Sequence, residues 1–165
     1  MVKIYVKDFG VMSFEMDYNN AKNTAANFVK LARDGYYNGT TFHRIISGFM
    51  IQGGDGRAIG RPLDYTIKGD FASNGVDNQL KHDRGVISMA RTMVKDSATS
   101  QFFIMHQKAP HLDGEYAAFG KMIDGEKVLD AIAGVETDFT DAPLKPIMIE
   151  KVEVLDEPIY AVKKL

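Results

Sequence analysis

The chain has 165 residues, with 20 basic and 22 acidic side chains, a formal net charge of -2 and no cysteine. That length suits a single domain with a sizeable core, and 45% hydrophobic against 25% charged residues is ordinary for a soluble globular protein. Near-neutral charge without like-charge blocks argues against nucleic acid or an anionic membrane as the main partner. The missing thiols exclude a disulfide framework, a cysteine nucleophile and a cysteine-based zinc site.

The sequence opens directly into strand pattern. It shows no charged-then-apolar leader and no apolar run of membrane-spanning length, so a cytoplasmic location is expected. Val2, Ile4 and Val6 alternate with Lys3, Tyr5 and Lys7, and residues 11–16 return after the turn Asp8-Phe9-Gly10, which predicts a hairpin. Ala25, Phe28, Val29 and Ala32 have helical spacing ahead of Gly35, which predicts a helix over about 21–34. Its apolar stripe reads as core capping a barrel. Asn38-Gly39-Thr40 matches a glycosylation acceptor, but without a leader it reads as a turn.

The stretch from Phe42 to Asp55 carries the chemistry. It predicts two short strands, 42–46 and 49–52, joined at Ser47-Gly48. It brings together a fixed cation, Arg44, two large apolar side chains, Phe49 and Met50, and an amide, Gln52. Residues two apart on a strand share a face, so Met50 and Gln52 project together, while Phe49 points elsewhere unless the backbone bulges. A planar cation and a neutral amide beside apolar walls suit binding a peptide bond. With no nucleophile and no titrating acid among them, they do not suit hydrolysis.

Residues 55–83 are glycine-dotted and polar with one strand-like piece, 64–68, and read as a long surface loop system. Strands are predicted over 85–90, 102–105, 117–123 and 147–155, with a helix over 126–133 stopped by Gly134. Many short strands and two helices point to a closed or nearly closed antiparallel barrel. Residues 156–165 form a short tail with no assignable role.

Bland readings apply to several of these residues taken singly. An isolated strand arginine such as Arg44 is more often a surface residue, and Phe49, Met50 and Phe103 are core by default. His43 reads as structural, and His82 and His106 as surface or strand-end residues. The four histidines, with His111, lack metal-ligand spacing, so no metal site is expected. Gly53-Gly54-Asp55-Gly56 lacks the ending and following helix of a phosphate loop. No serine lies in a G-x-S-x-G frame, and the carboxylates are scattered rather than paired.

Three blocks together carry a resemblance. Phe42-His43-Arg44-Ile45-Ile46-Ser47-Gly48-Phe49-Met50-Ile51-Gln52-Gly53-Gly54-Asp55 resembles the signature of the cyclophilins, the peptidyl-prolyl cis-trans isomerases, with Ser47 where proline is usual. Ser88-Met89-Ala90-Arg91 with Ser100-Gln101-Phe102-Phe103-Ile104 is a second block. Residues 112–121, Leu112 to Lys121, form the third. The resemblance runs over about 2–155 and implies one isomerase domain there: a closed eight-stranded antiparallel β-barrel capped by two α-helices, with a packed interior and an outer groove.

By resemblance, Arg44 is the donor to the prolyl nitrogen, and Phe49, Met50, Phe103 and Leu112 wall the proline pocket. Gln52 holds the carbonyl before proline, Ala90 and Arg91 bind the extended peptide, and Gln101 lines the groove beside them. Arg91 stands where asparagine is usual and implies a preference for acidic or bulky flanks. Tyr116 stands where many members have histidine. His111 replaces a tryptophan common in eukaryotic members, which implies weak cyclosporin binding. The expected function is cofactor-free isomerisation of X-Pro bonds in unfolded or flexible chains by a monomer assisting folding. The alternative is a peptide-binding module that holds X-Pro segments without turnover. A ligand-carrying barrel of the lipocalin kind is a third reading, which a packed interior would exclude.

Overall fold

The computed structural model describes residues 1–165. In chain order the elements are β1 (Val2–Val6), β2 (Gly10–Met16), α1 (Tyr18–Arg33), β3 (Phe42–Ile46), β4 (Met50–Gly53), β5 (Val86–Met89), β6 (Phe102–Met105), β7 (Ala118–Asp124), α2 (Glu126–Ala133) and β8 (Ile149–Val154). The strands form one curled sheet in the order β3-β4-β6-β5-β7-β2-β1-β8, antiparallel throughout. The predicted strand-like piece at 64–68 is reduced to one bridge, Ile67 to Ala98.

The sequence predicts a closed barrel, and here the structure differs. The outermost strands, β3 and β8, form no ladder with each other. Their lead-in residues meet at a single bridge, Thr41 to Met148, supported by Phe42 N–H to Ile147 O at 2.9 Å and Ile149 N–H to Thr40 O at 2.8 Å. Farther along β3, the Ile45 N–H donates instead to Asp141 O at 2.8 Å. The loop before β8 therefore takes the outer edge of β3, and the sheet stays open along that seam.

Aromatic rings fill the interior. Phe28 of α1 packs on Tyr37, Phe102 and Phe119 at centroid separations of 5.1, 5.3 and 5.1 Å, and all four are completely buried. These rings occupy the space in which a barrel of the lipocalin kind would carry its ligand. Strand β6 is buried on both faces. Phe102 and Ile104 belong to the main core, whereas Phe103 and Met105 join Met50, Val86, Ala109, Leu112 and Ala118 in a second cluster outside the sheet. That second cluster is the foundation of the groove.

Helix α1 begins earlier than predicted. The Asp17 carboxylate accepts the Asn20 N–H at 3.0 Å and caps a first turn, which breaks at Ala21 (φ -143°, ψ 63°). The helix restarts under a second carboxylate, Asp70, which accepts from both Thr24 N–H at 3.0 Å and Thr24 Oγ1 at 2.7 Å. At the other end, the Arg61 guanidinium donates to the carbonyls of Tyr36 and Asn38 at 2.9 and 2.8 Å, just beyond the helix. The long loop system thus seals both ends of α1.

Residues 156–165 strap across α1. The Glu157 carboxylate takes the Met1 ammonium group and the Tyr18 hydroxyl, the latter at 2.7 Å. Tyr160 meets Tyr18 edge-on at 5.1 Å, and Lys163 and Asn23 exchange hydrogen bonds of 2.8 and 3.0 Å. Leu165 N–H ends the strap on Thr66 O at 2.8 Å.

Candidate active groove

The β3–β4 pair shows why Arg44 reaches the surface. Phe42 pairs with Gly53, but Arg44 pairs with Gln52, so β3 carries one extra residue at His43. On a regular strand Arg44 would follow Phe42 into the core. The bulge reverses its face, and Ile45 takes the interior position instead. Arg44 is left exposed, with Nη1 donating across the pair to Gln52 Oε1 at 3.4 Å. Gln52 Nε2 in turn donates to Gln101 Oε1 at 3.1 Å. This line of bonds turns the Gln52 carbonyl oxygen towards the cation and its amide nitrogen along the groove.

A groove of about 700 Å³ opens over these residues. Arg44, Phe49, Met50, Gln52, Ala90, Arg91, Phe103, His111, Leu112 and Tyr116 all line it. Gln101 lies in an adjoining hollow of about 360 Å³ that shares Gln52, Ala90 and Arg91 with the first. Met93, Lys95 and Glu115 also line the groove and were not read from the sequence. Their one signal is position, since Met93 and Lys95 follow shortly after Arg91 and Glu115 precedes Tyr116.

Phe49 precedes β4, in the turn, so strand alternation does not apply to it. Its N–H bonds back to Ile46 O at 2.9 Å, and its ring stacks on exposed His111 at 5.9 Å. Met50 and Gln52 share the groove face as predicted, with Ile51 between them in the main core. Leu112 sits in a short turn of helix, Pro110–Leu112.

Arg91, on the groove wall as expected, is anchored by the protein itself. Its Nε and Nη2 donate to Glu115 O at 3.2 and 2.6 Å, and Nη1 donates to Thr92 O at 2.9 Å. The guanidinium carbon lies 4.5 Å from the Tyr116 ring centroid and 4.9 Å from that of Phe71. The guanidinium is thus held at the groove wall by main-chain carbonyls and rings.

His82 also departs from expectation. It is buried, not a surface residue, with 1% of its area exposed. Nδ1 lies 3.1 Å from Asp113 Oδ1 and Nε2 lies 2.9 Å from Ser88 Oγ. A carboxylate can only accept, so Nδ1 carries the proton and Nε2 accepts from Ser88. Burial pulls this histidine below its ordinary range, against the opposing pull of Asp113, so it is neutral near pH 7. His106 directly follows β6, at a strand end as expected, and both its ring nitrogens are bonded.

Residues 1–154 match the model of the cyclophilin type peptidyl-prolyl cis-trans isomerase/CLD family. Peptidyl-prolyl cis-trans isomerase A of Dickeya dadantii is 40% identical over 155 residues, covering 88% of this chain and 80% of that one. An Arabidopsis thaliana peptidyl-prolyl cis-trans isomerase is 39% identical over 153 residues, covering 92% and 94%. The chain also matches longer proteins. It is 40% identical over 157 residues to the peptidyl-prolyl cis-trans isomerase-like 2 of Cryptococcus neoformans but spans only 27% of that protein's length.

A crystal structure of a Cryptosporidium parvum cyclophilin type peptidyl-prolyl cis-trans isomerase, determined in the presence of the dipeptide Ala-Pro, superposes with a TM-score of 0.84 at 32% identity. The match covers 94% of this chain and 99% of that one. The chain belongs to the cyclophilin-type peptidyl-prolyl cis-trans isomerase family.

Proposed function

We propose that the groove catalyses cis-trans isomerisation of X-Pro bonds in flexible polypeptides. These bonds interconvert unaided over roughly tens to hundreds of seconds, because the C–N bond has partial double-bond character. Twisting the amide localises a lone pair on the prolyl nitrogen, and a donor aimed there binds the twisted form better than either planar form. Arg44 is that donor, a guanidinium charged at any working pH with a fixed fork of N–H groups. Phe49, Met50, Phe103 and Leu112 form the slot for the proline ring, and Gln52 holds the preceding carbonyl. Ala90 and Gln101 continue the track for the residues upstream.

Bringing isomerisation from minutes to milliseconds takes roughly 10⁵-fold, or about 7 kcal/mol. One hydrogen bond does not supply that, so the slot and the amide clamp share the task. The observation that carries the reading is the His43 bulge, which places Arg44 opposite Gln52 on the groove wall instead of in the core. Isomerisation of an X-Pro peptide, measured for the parent and for Arg44→Ala, tests it. A parent with no rate gain, or a variant that keeps nearly all of it, would leave a binding module without turnover.

The finer features of this reading are a monomer acting in the cytoplasm and weak cyclosporin binding. The cysteine-free sequence suits a reducing compartment, and His111 offers a smaller ring than an indole at the rim of the slot. The main-chain bonds between residues 40–42 and 147–149 support a barrel that is closed at one end of its seam.

A further inference from the structure

The apex of the β3–β4 turn, immediately before Phe49, is held from outside the hairpin by one side chain. Gly48 N–H donates to His106 Nδ1 at 2.8 Å, and His106 Nε2 lies 3.0 Å from Asp130 Oδ1 on α2. A main-chain N–H can only donate, so Nδ1 holds the lone pair and Nε2–H faces the carboxylate. Arg84 grips both oxygens of Asp130 at 2.9 and 3.0 Å and also donates to His106 O at 3.0 Å. The histidine's own N–H reaches Phe49 O at 2.8 Å. The ring is therefore a fixed strut between the turn and a helix that is itself locked in place. Gly48 has φ +82°, and a Cβ placed on it would meet nothing within 4 Å, so no neighbour packs against the apex on that side.

We propose that His106 is a positioning residue for the isomerase reaction: it ties the turn apex to α2 and so holds the Phe49 ring as a wall of the proline slot. This rests on the reading of the groove given above. His106 itself does not line the groove; it acts through Gly48 on the residue that does.

Two substitutions separate the strut from mere packing. His106→Asn keeps an acceptor at the Nδ1 place, within reach of Gly48 N–H. His106→Gln reaches Asp130 but offers no acceptor there. Saturation kinetics on an X-Pro peptide are expected to show KM raised about fivefold in His106→Gln with kcat within about twofold, and KM within about twofold of the parent in His106→Asn. Equal KM changes in both variants, tracking thermal stability, would mark a structural role only and overturn the proposal. Phe49→Ala serves as the reference. If it raises KM while His106→Gln does not, the strut fails and the slot stands; if Phe49→Ala leaves KM unchanged, the slot itself fails and the strut with it. In the unaltered protein, nitrogen NMR is expected to show an unprotonated Nδ1 and an exchange-protected Gly48 amide. A proton at Nδ1 or a freely exchanging amide would overturn the tie without any variant.

Discussion

His82 lies flat against Phe103, with ring centroids 6.0 Å apart and planes 16° from parallel. Tyr116 meets the same phenyl ring at 83°, 5.8 Å away, so this groove residue is held on two sides. Ser88 and Asp113 in turn hold the imidazole, which makes a buried neutral histidine part of the groove's foundation.

The charge state of His82 sets a dependence of stability on pH. Burial lowers its affinity for a proton below the ordinary value of 6.5, whereas the unfolded chain binds that proton normally. The unfolded state therefore takes up more protons as pH falls, and stability drops. The contribution is complete above pH 6.5 and declines as pH falls from there towards the folded-state value. The thermal midpoint should fall over this window in the parent and less steeply in His82→Gln. Identical slopes would mean that some other group is responsible.

Arg44 should contribute by shape as well as charge. Arg44→Ala is expected to lower kcat/KM about 100-fold, or about 2.7 kcal/mol. Arg44→Lys keeps the charge but loses the planar fork, and should fall between Ala and the parent. The side chain is exposed and its one bond, to Gln52, is long, so neither change should move the thermal midpoint by more than about 2 °C. A lysine variant as active as the parent would show that the fork is unnecessary.

What could be read in advance follows from how local its causes are. The strands 42–46 and 102–105 and the helix 126–133 lie where residue type and spacing place them, because their apolar residues and the Gly134 stop are local. The groove residues were legible only as blocks of a resemblance, since Arg44 and Phe103 have no distinguishing surroundings in the sequence. The His43 bulge was not legible, because the extra residue is defined only against the Gln52 register of the partner strand. The burial of His82 is hidden in the sequence for the same kind of reason. Its partners Ser88 and Asp113 arrive from β5 and from a turn 31 residues downstream. The restart of α1 depends on Asp70, 46 residues beyond Thr24.

That restart gives a further test. Asp70→Ala removes the acceptor of two bonds at a buried helix start, and caps of this kind are worth about 1–2 kcal/mol. Urea unfolding should show a lower midpoint with an unchanged slope, because the surface exposed on unfolding stays the same. Thr24→Val should cost less, since the Thr24 N–H keeps its carboxylate. If Asp70→Ala leaves the midpoint in place, the first turn under Asp17 is cap enough.

The strap of residues 156–165 makes an opposite prediction for activity. Its hydrogen bonds run to Met1, Tyr18, Asn23, Arg33 and Thr66, and none of its residues lines the groove. Glu157 is the centre of the strap, with 7% of its side chain exposed. Burial and this neighbouring carboxylate together push the Tyr18 phenol well above its usual range, so it stays a donor to Glu157. Removing residues 157–165 leaves the Met1 ammonium and the Tyr18 hydroxyl without that partner and uncovers the tyrosine ring. The thermal midpoint should fall by about 5 °C or more, at roughly 2–4 °C per kcal/mol for a domain of this size. Isomerase activity measured well below that midpoint should stay within about twofold of the parent, because β3, β4 and β6 keep their register without the strap. A truncated chain as stable as the parent would make the strap incidental. One that stays folded but loses activity would connect the strap to the groove through α1 and the shared aromatic core.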